Sequence, residues 1–138
     1  MRFLDTNIIL RYLTGDDPAK ASACFDLFQR LKEGSEVVVT CEAIITEVVY
    51  VLSSRAHYDL SRADIGARLV PLLAVRGLRL ARKRLYLRAL DLYVAHSLLD
   101  FEDALTIAYM ESEGIRELYS YDTDFDRVAG VVRIEPRS

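Results

Sequence analysis

Four carboxylates stand where they could gather a metal ion: Asp5, Glu47, Asp103 and Asp122. Asp5 follows the apolar run Phe3–Leu4, and Asp122 follows an extended run ending at Ser120, so each reads as a residue just past a strand's carboxyl end. Ligands of open parallel sheets bind beyond those ends, and both side chains are expected to point into one cleft. Glu47 reads as helical, with Ala43, Ile44, Tyr50 and Val51 as its neighbours at three and four positions. A carboxylate in such apolar surroundings resists ionising unless an arginine, a proton or a metal compensates. Asp103 lies in line with Ile107 and Met110 on a helix whose remaining face is Phe101, Ala104, Leu105 and Ala108.

Three of the acids also have a purely structural explanation. Glu47 could belong to a buried Glu–Arg pair. Asp103 could be an acid favoured in the first turn by the helix dipole, although Asp100 fits the N-cap better. Taken alone, Asp5 suits a capping role beside Thr6 and Asn7 as well as it suits function. The ensemble favours function, because acids sharing one cleft repel unless a cation gathers them. Oxygen-only ligands select hard ions such as Mg2+ or Mn2+. Magnesium keeps several waters and takes one or two carboxylates, which leaves room for two ions without requiring them. In two-metal phosphodiester hydrolysis such ions sit roughly 3.5–4 Å apart, one activating water and one stabilising the leaving oxygen.

These acids need rigid elements behind them. Arg2–Leu4 is a strand candidate, and Asp5–Thr6–Asn7 supplies capping side chains before a helix that stops at Gly15. A second helix is expected from about Ala19 to Lys32, closed by Gly34, followed by a β-branched strand at Val37–Thr40. Helical spacing runs from Glu42 to about Ser54, and Ser61 opens a further helix that ends before Gly77. Leu78–Leu80 is a third strand candidate. Helices are expected at Lys83–Leu98 and Phe101–Glu113, the latter stopped by Gly114. Glu117–Ser120 then extends, a short helical turn follows Asp122–Thr123–Asp124, and Val131–Ile134 is the last strand. Strands alternating with helices imply a parallel sheet covered on both faces.

Composition is that of an ordinary globular protein, with 51% hydrophobic and 28% charged residues in a length of 138, enough for one compact domain. No apolar stretch approaches the ~20 residues that span a bilayer. Met1 and Arg2 lead directly into a strand with no signal pattern, so a cytoplasmic protein is expected. Cys24 and Cys41 lack zinc or redox spacing and read as small buried hydrophobes. The net charge of −3 gives no bulk attraction for nucleic acid. Its distribution does: no acid occurs between Ile65 and Leu90, where Arg68, Arg76, Arg79, Arg82, Lys83, Arg84 and Arg88 fall. That stretch reads either as a solvated face or as a phosphate-contacting surface, with Arg79, Arg82 and Arg84 the candidate contacts. Leu85, Leu87, Leu90, Leu92, Tyr93 and Val94 are more apolar positions than one buried stripe needs, which suggests a homodimer or partner surface.

The opening Phe3–Leu4–Asp5–Thr6–Asn7, the helical Glu47, the Asp100–Phe101–Glu102–Asp103–Ala104 segment and the late Ser120–Tyr121–Asp122–Thr123–Asp124–Phe125 together resemble PIN domains, most closely the VapC-type ribonuclease toxins. The resemblance covers nearly the whole chain. It implies a single domain over residues 1–138 with a three-layer α/β/α sandwich and a central, mostly parallel sheet. It further implies Mg2+- or Mn2+-dependent endoribonuclease activity, the role of toxin in a type II toxin–antitoxin pair, frequent dimerisation, and inhibition by a small cognate antitoxin. Residue by residue, Asp5, Glu47, Asp103 and Asp122 match the family's acidic quartet. Ser120 stands where the family often has Thr and keeps the hydroxyl. Asn7 would hydrogen-bond near the metal or substrate, and Asp124 is an extra candidate ligand.

Two other readings compete. A phosphate-accepting receiver domain would need adjacent acids after its first strand and a late Lys, yet Thr6 follows Asp5 and no Lys occurs after Lys83. A PIN-like module that binds RNA or protein without cutting is the stronger rival, because fold alone does not establish activity. His57 and His96 lack ligand spacing, and no serine or cysteine nucleophile motif is present.

Overall fold

The structure, a computed structural model, describes residues 1–137. The chain divides into two compact units, Met1–Lys83 and the remainder from Arg84.

In the first unit, strand β1 (Arg2–Phe3), helix α1 (Thr6–Thr14), helix α2 (Pro18–Glu33), strand β2 (Val38–Val39), helix α3 (Glu42–Ser53), helix α4 (Arg62–Leu73) and strand β3 (Leu78–Arg79) follow in order. The three strands form one parallel sheet in the order β1-β2-β3, with Arg2 opposite Val38 and Val38 opposite Leu78. Parallel neighbours require crossovers, and the intervening helices supply them. Hydrogen bonding continues past the strand ends: Leu4 N–H donates to the Val39 carbonyl at 2.8 Å, and the Thr40 hydroxyl donates to the Leu4 carbonyl at 3.1 Å. Both backbone groups of Leu4 are thereby fixed, and so is the direction in which Asp5 leaves the sheet.

Helix α1 packs on α2 and α3. Its buried Ile9 joins Phe28, Leu31, Ile45, Val48 and Leu52 in the core, while Tyr12 stacks on Phe28 with ring centroids 4.1 Å apart. Two more joints set the geometry. Gly77 N–H donates to the Leu31 carbonyl at 2.8 Å, and a Cβ at Gly77 would overlap the Glu36 carbonyl oxygen, so the entry to β3 passes too close to the end of α2 for any other residue. The Lys83 ammonium donates to the Leu78 carbonyl at 2.6 Å and the Val75 carbonyl at 3.4 Å, and burial holds its pKa below the usual lysine range.

In the second unit, helix α5 (Lys83–Ala95), which begins at the last residue of the first unit, is followed by helix α6 (Phe101–Glu113), strand β4 (Glu117–Tyr119), a 3-10 helix (Thr123–Arg127) and strand β5 (Val132–Ile134). Strands β4 and β5 pair in parallel, with Leu118 opposite Arg133. Tyr93 of α5 meets Phe101 of α6 edge to face at 6.1 Å, and Leu90, Ala104 and Ile107 are fully buried or nearly so.

The expected alternation of helices with parallel strands is present, with three differences. Helix α5 stops at Ala95 rather than Leu98, and the chain turns through a Leu99 N–H to His96 carbonyl bond at 3.1 Å. Leu90, Leu92 and Tyr93 are buried and Leu85 and Leu87 half-buried within the single chain, leaving Val94 exposed, so half of the apolar surplus read as a partner surface is core. Cys24 is buried as expected, but Cys41 is exposed, because it occupies the N-cap position of α3, outside the helix's buried stripe. Among the described residues, no helix is long and apolar enough to cross a membrane.

Candidate active site

The first unit contributes Asp5, Thr6, Asn7 and Glu47. Asp5 occupies the N-cap position of α1 with extended backbone angles, φ −93° and ψ 165°, yet its side chain accepts no capping hydrogen bond. The residue type that best caps a helix is therefore in the capping position without capping, and its exposed carboxylate is unspent. Asn7 is exposed on the first turn. Thr6 is 8% exposed, and its hydroxyl donates to Glu47 Oε2 at 2.9 Å, joining the start of α1 to the middle of α3. In the sequence Thr6 stands only as one of several capping candidates; a hydroxyl beside an acid at a strand end is the signal that identifies it.

Glu47 differs from its expected environment. The buried stripe of α3 is Ile45, Val48, Val49 and Leu52, while Glu47 lies on the opposite side with Ala43 and the 69%-exposed Tyr50. Its apolar helical neighbours are thus largely surface residues, and the desolvation argument does not apply to it. The alternative of a Glu–Arg pair is not realised either: among the described residues no Lys or Arg pairs with Glu47, whose hydrogen bond comes from Thr6.

The second unit contributes Asp100, Asp103, Ser120, Asp122 and Asp124. Asp100 is the N-cap of α6 as expected, its Oδ1 accepting from the Asp103 N–H at 2.8 Å. The Asp103 carboxyl in turn meets Asp100, whose backbone N–H bonds to it and favours its charged form. Burial pushes this half-buried carboxyl up to about 6, with further upward pushes from the negative charges of Asp100 and Asp122. Nothing cationic offsets them.

Asp122 leaves β4 through a tight turn in which its N–H donates to Ser120 Oγ at 3.0 Å and its Oδ1 accepts from the Asp124 N–H at 2.9 Å. One carboxylate oxygen therefore caps the 3-10 helix and one remains. Arg133 steadies this turn, donating to the Ser120 carbonyl at 3.0 Å while pairing with Asp126 at 2.9 Å. Nothing in the sequence singled out Arg133, since its role follows from the pairing of β4 with β5. Asp124 is half-buried and lines a cavity of about 280 Å3 whose walls include neither Asp103 nor Asp122.

Cations of the acid-free stretch also take part in the fold. Arg68 donates to the Leu13 carbonyl at 2.8 Å, Lys83 holds the entry to β3, and Arg88 forms a two-bond pair with Glu111 at 2.8 and 3.0 Å. Arg79, Arg82 and Arg84 are exposed, and Arg82 adopts the left-handed region at φ 58°. Among the described residues, no group of three or more His, Cys, Asp and Glu is placed to hold a metal ion. What the structure brings together is Thr6 with Glu47 in the first unit and, electrostatically, Asp103 with Asp100 and Asp122 in the second. The donor chemistry fits a hard divalent cation: the donors are oxygens, and the half-buried carboxyl at Asp103 has like charges for neighbours and no cation.

The PIN domain family matches residues 2–131, and the chain belongs to that family. Comparison with curated proteins gave no match. Among solved structures the chain is similar to VapC20 of Mycobacterium tuberculosis, described as a sarcin-ricin loop cleaving toxin, with 26% sequence identity, coverage of 99% of this chain and 100% of that one, and a TM-score of 0.39.

Proposed function

We propose that the protein is a metal-dependent endoribonuclease of the VapC type, the toxin of a type II toxin–antitoxin pair, acting in the cytoplasm as a single PIN domain. The observation that carries this reading is Asp103, a half-buried carboxyl raised to about 6 by burial and by Asp100 and Asp122, in a chain of the PIN family. A carboxyl in that state takes up a proton or a cation more readily than an ordinary aspartate does. Asp5, Glu47, Asp103 and Asp122 would together hold Mg2+ or Mn2+. Bound there, the ion supplies a water-derived nucleophile at neutral pH and charge stabilisation for the leaving oxygen.

The chain's own residues do the positioning. The Thr6 hydroxyl fixes the rotamer of Glu47, the Asp100 cap fixes the first turn of α6 that carries Asp103, and Ser120 with Arg133 fixes the turn that carries Asp122. Asn7, Ser120 and Asp124 contact the substrate near the acids, and Arg79, Arg82 and Arg84 contact its phosphates. The partners of this reading are RNA, a small cognate antitoxin and a second copy of the chain. The test is cleavage of mixed RNA by the purified protein, with chelator or with millimolar-range Mg2+ or Mn2+, beside melting curves in the same buffers. Metal-dependent cleavage and a rise in melting temperature on adding metal are expected. A melting rise without cleavage would leave a silent RNA- or protein-binding module instead.

A further inference from the structure

The early end of α5 at Ala95 opens a cavity within the second unit, about 280 Å3 in volume, between the turn that follows α5 and the 3-10 helix. Its walls include Leu98, Leu99 and Val128 beside His96 and Ser97, and the lining is more polar than apolar, with Leu98 46% exposed at the surface. Asp124 and Arg127 face the same cavity, and neither side chain has an ion-pair partner among the described residues, including each other. Opposite charges lining one cavity without pairing are an unspent set of hydrogen-bonding groups, a carboxylate that can only accept and a guanidinium that can only donate. A mainly polar lining with a few apolar side chains suits a ligand recognised along its hydrogen-bonding edges.

We propose that this cavity is a base-binding subsite that takes an unstacked guanine of the RNA strand. Guanine presents two adjacent N–H donors, at N1 and N2, to a carboxylate, and two acceptors, O6 and N7, to a guanidinium. Asp124 takes the donor pair and Arg127 the acceptor pair, while Leu98 and Val128 contact the ring faces. The other bases fit worse: adenine turns an acceptor, N1, toward the carboxylate, and uracil and cytosine each offer one donor position there. The subsite is tied to the acids, because the Asp124 N–H donates to Asp122 Oδ1 at 2.9 Å. A base held by Asp124 therefore belongs to a nucleotide close to the phosphate that is cut. The inference rests on the ribonuclease reading and deepens it by naming the base that is read. Single-stranded RNA is commonly read in this way, with unstacked bases bonded along their edges.

The test measures binding of labelled RNA hexamers in chelator, so that affinity is read without cleavage. The hexamers are identical except for one position carrying guanine, inosine, which lacks the N2 amine, or adenine. The parent is expected to bind the guanine strand about ten- to a hundredfold more tightly than the adenine strand, with inosine between, as one two-bond base contact allows. Asp124→Asn should reduce that ratio to near unity with little change in melting temperature, and Arg127→Ala gives an independent reading of the second contact. Equal parental affinity for guanine and adenine overturns the proposal, as does a ratio unchanged in both folded variants. Free 5′-GMP competing as strongly as the guanine hexamer also overturns it, by assigning the cavity to a free nucleotide. RNA binding or cleavage without base preference removes only the subsite, whereas a parent that neither binds nor cleaves any RNA removes the ribonuclease reading as well.

Discussion

Replacing Asp103 with Asn separates a structural acid from one placed to meet a cation. In the folded protein the Asp103 carboxyl is raised from 3.8 to about 6, chiefly by burial and then by the charges of Asp100 and Asp122. A raised acid pKa means the fold disfavours the charged form, so stability is lost as pH climbs from the unfolded to the folded value. At about 1.4 kcal/mol per unit the full shift would correspond to roughly 3 kcal/mol at pH 7.5, and partial solvent access reduces this to about 1–2 kcal/mol. A near-isosteric neutral amide removes the penalty, so in chelator the variant should melt above the parent by roughly 3–8 °C. The gap should close as pH falls from about 6 toward 4, because the parent carboxyl takes up its proton in that window. With millimolar-range Mg2+ or Mn2+ the order should reverse, since only the parent keeps all its ligands and the associated linkage to folding. Melting curves for both proteins at pH 4.5 and 7.5, with chelator and with metal, provide the assay, and cleavage of mixed RNA accompanies them. A variant that melts well below the parent in chelator at pH 7.5 would make Asp103 a structural partner. Cleavage at the parental rate would refute the four-carboxylate mechanism.

Three further outcomes are expected. Changing Arg79, Arg82 and Arg84 together to Ala should weaken RNA binding and flatten its salt dependence by about two in the slope of log affinity against log salt, near 0.7 per lost contact on a single strand; an unchanged slope would return these residues to a solvated face. Thr6→Val should lower metal affinity and cleavage about tenfold by releasing Glu47, at a stability cost of about 1 kcal/mol, while Thr6→Ser restores both; full activity in the Val variant would show that the Thr6–Glu47 bond positions nothing. Lys83→Met should destabilise the protein by about 1–3 kcal/mol, because the Leu78 and Val75 carbonyls lose their shared donor, and chemical denaturation would reveal a neutral change if the contact is dispensable.

Much of the architecture was legible because its punctuation is local. Gly15, Gly34 and Gly114 end helices in the left-handed conformation, and Asp17, Ser61 and Asp100 begin them with side chains that accept backbone N–H bonds. Such signals act within one turn and can be read from a handful of residues. Burial is less local. Glu47 was expected among apolar neighbours, but helical spacing alone could not tell which side of α3 faces the core, and Ala43, Tyr50 and Glu47 lie on the side that does not. The apolar surplus of α5 is smaller than its spacing suggests for the same reason, since Leu90, Leu92 and Tyr93 find cover within the chain. Thr6, Arg127 and Arg133 acquire their roles from contacts or cavities that no spacing rule encodes.

Of the aspartates at helix starts, Asp5, Asp100 and Asp122 differ in how much of the carboxylate the backbone consumes. Asp100 accepts from the Asp103 N–H and behaves as an ordinary cap. Asp122 gives one oxygen to the Asp124 N–H and keeps the other. Asp5 gives none, although it sits in the N-cap position, and the orphan N–H groups at the start of α1 gain nothing from it. A cap left unmade forgoes about 1 kcal/mol of helix stability, and sequence alone had ranked capping as at least an equal explanation for this residue. That forgone stability fits a carboxylate kept available for something other than its own helix. On this argument Asp5 is the acid most completely withheld from structural duty, while Asp122 serves both purposes with separate oxygens and Asp103, which meets Asp100 in return, is held neutral to higher pH chiefly by burial.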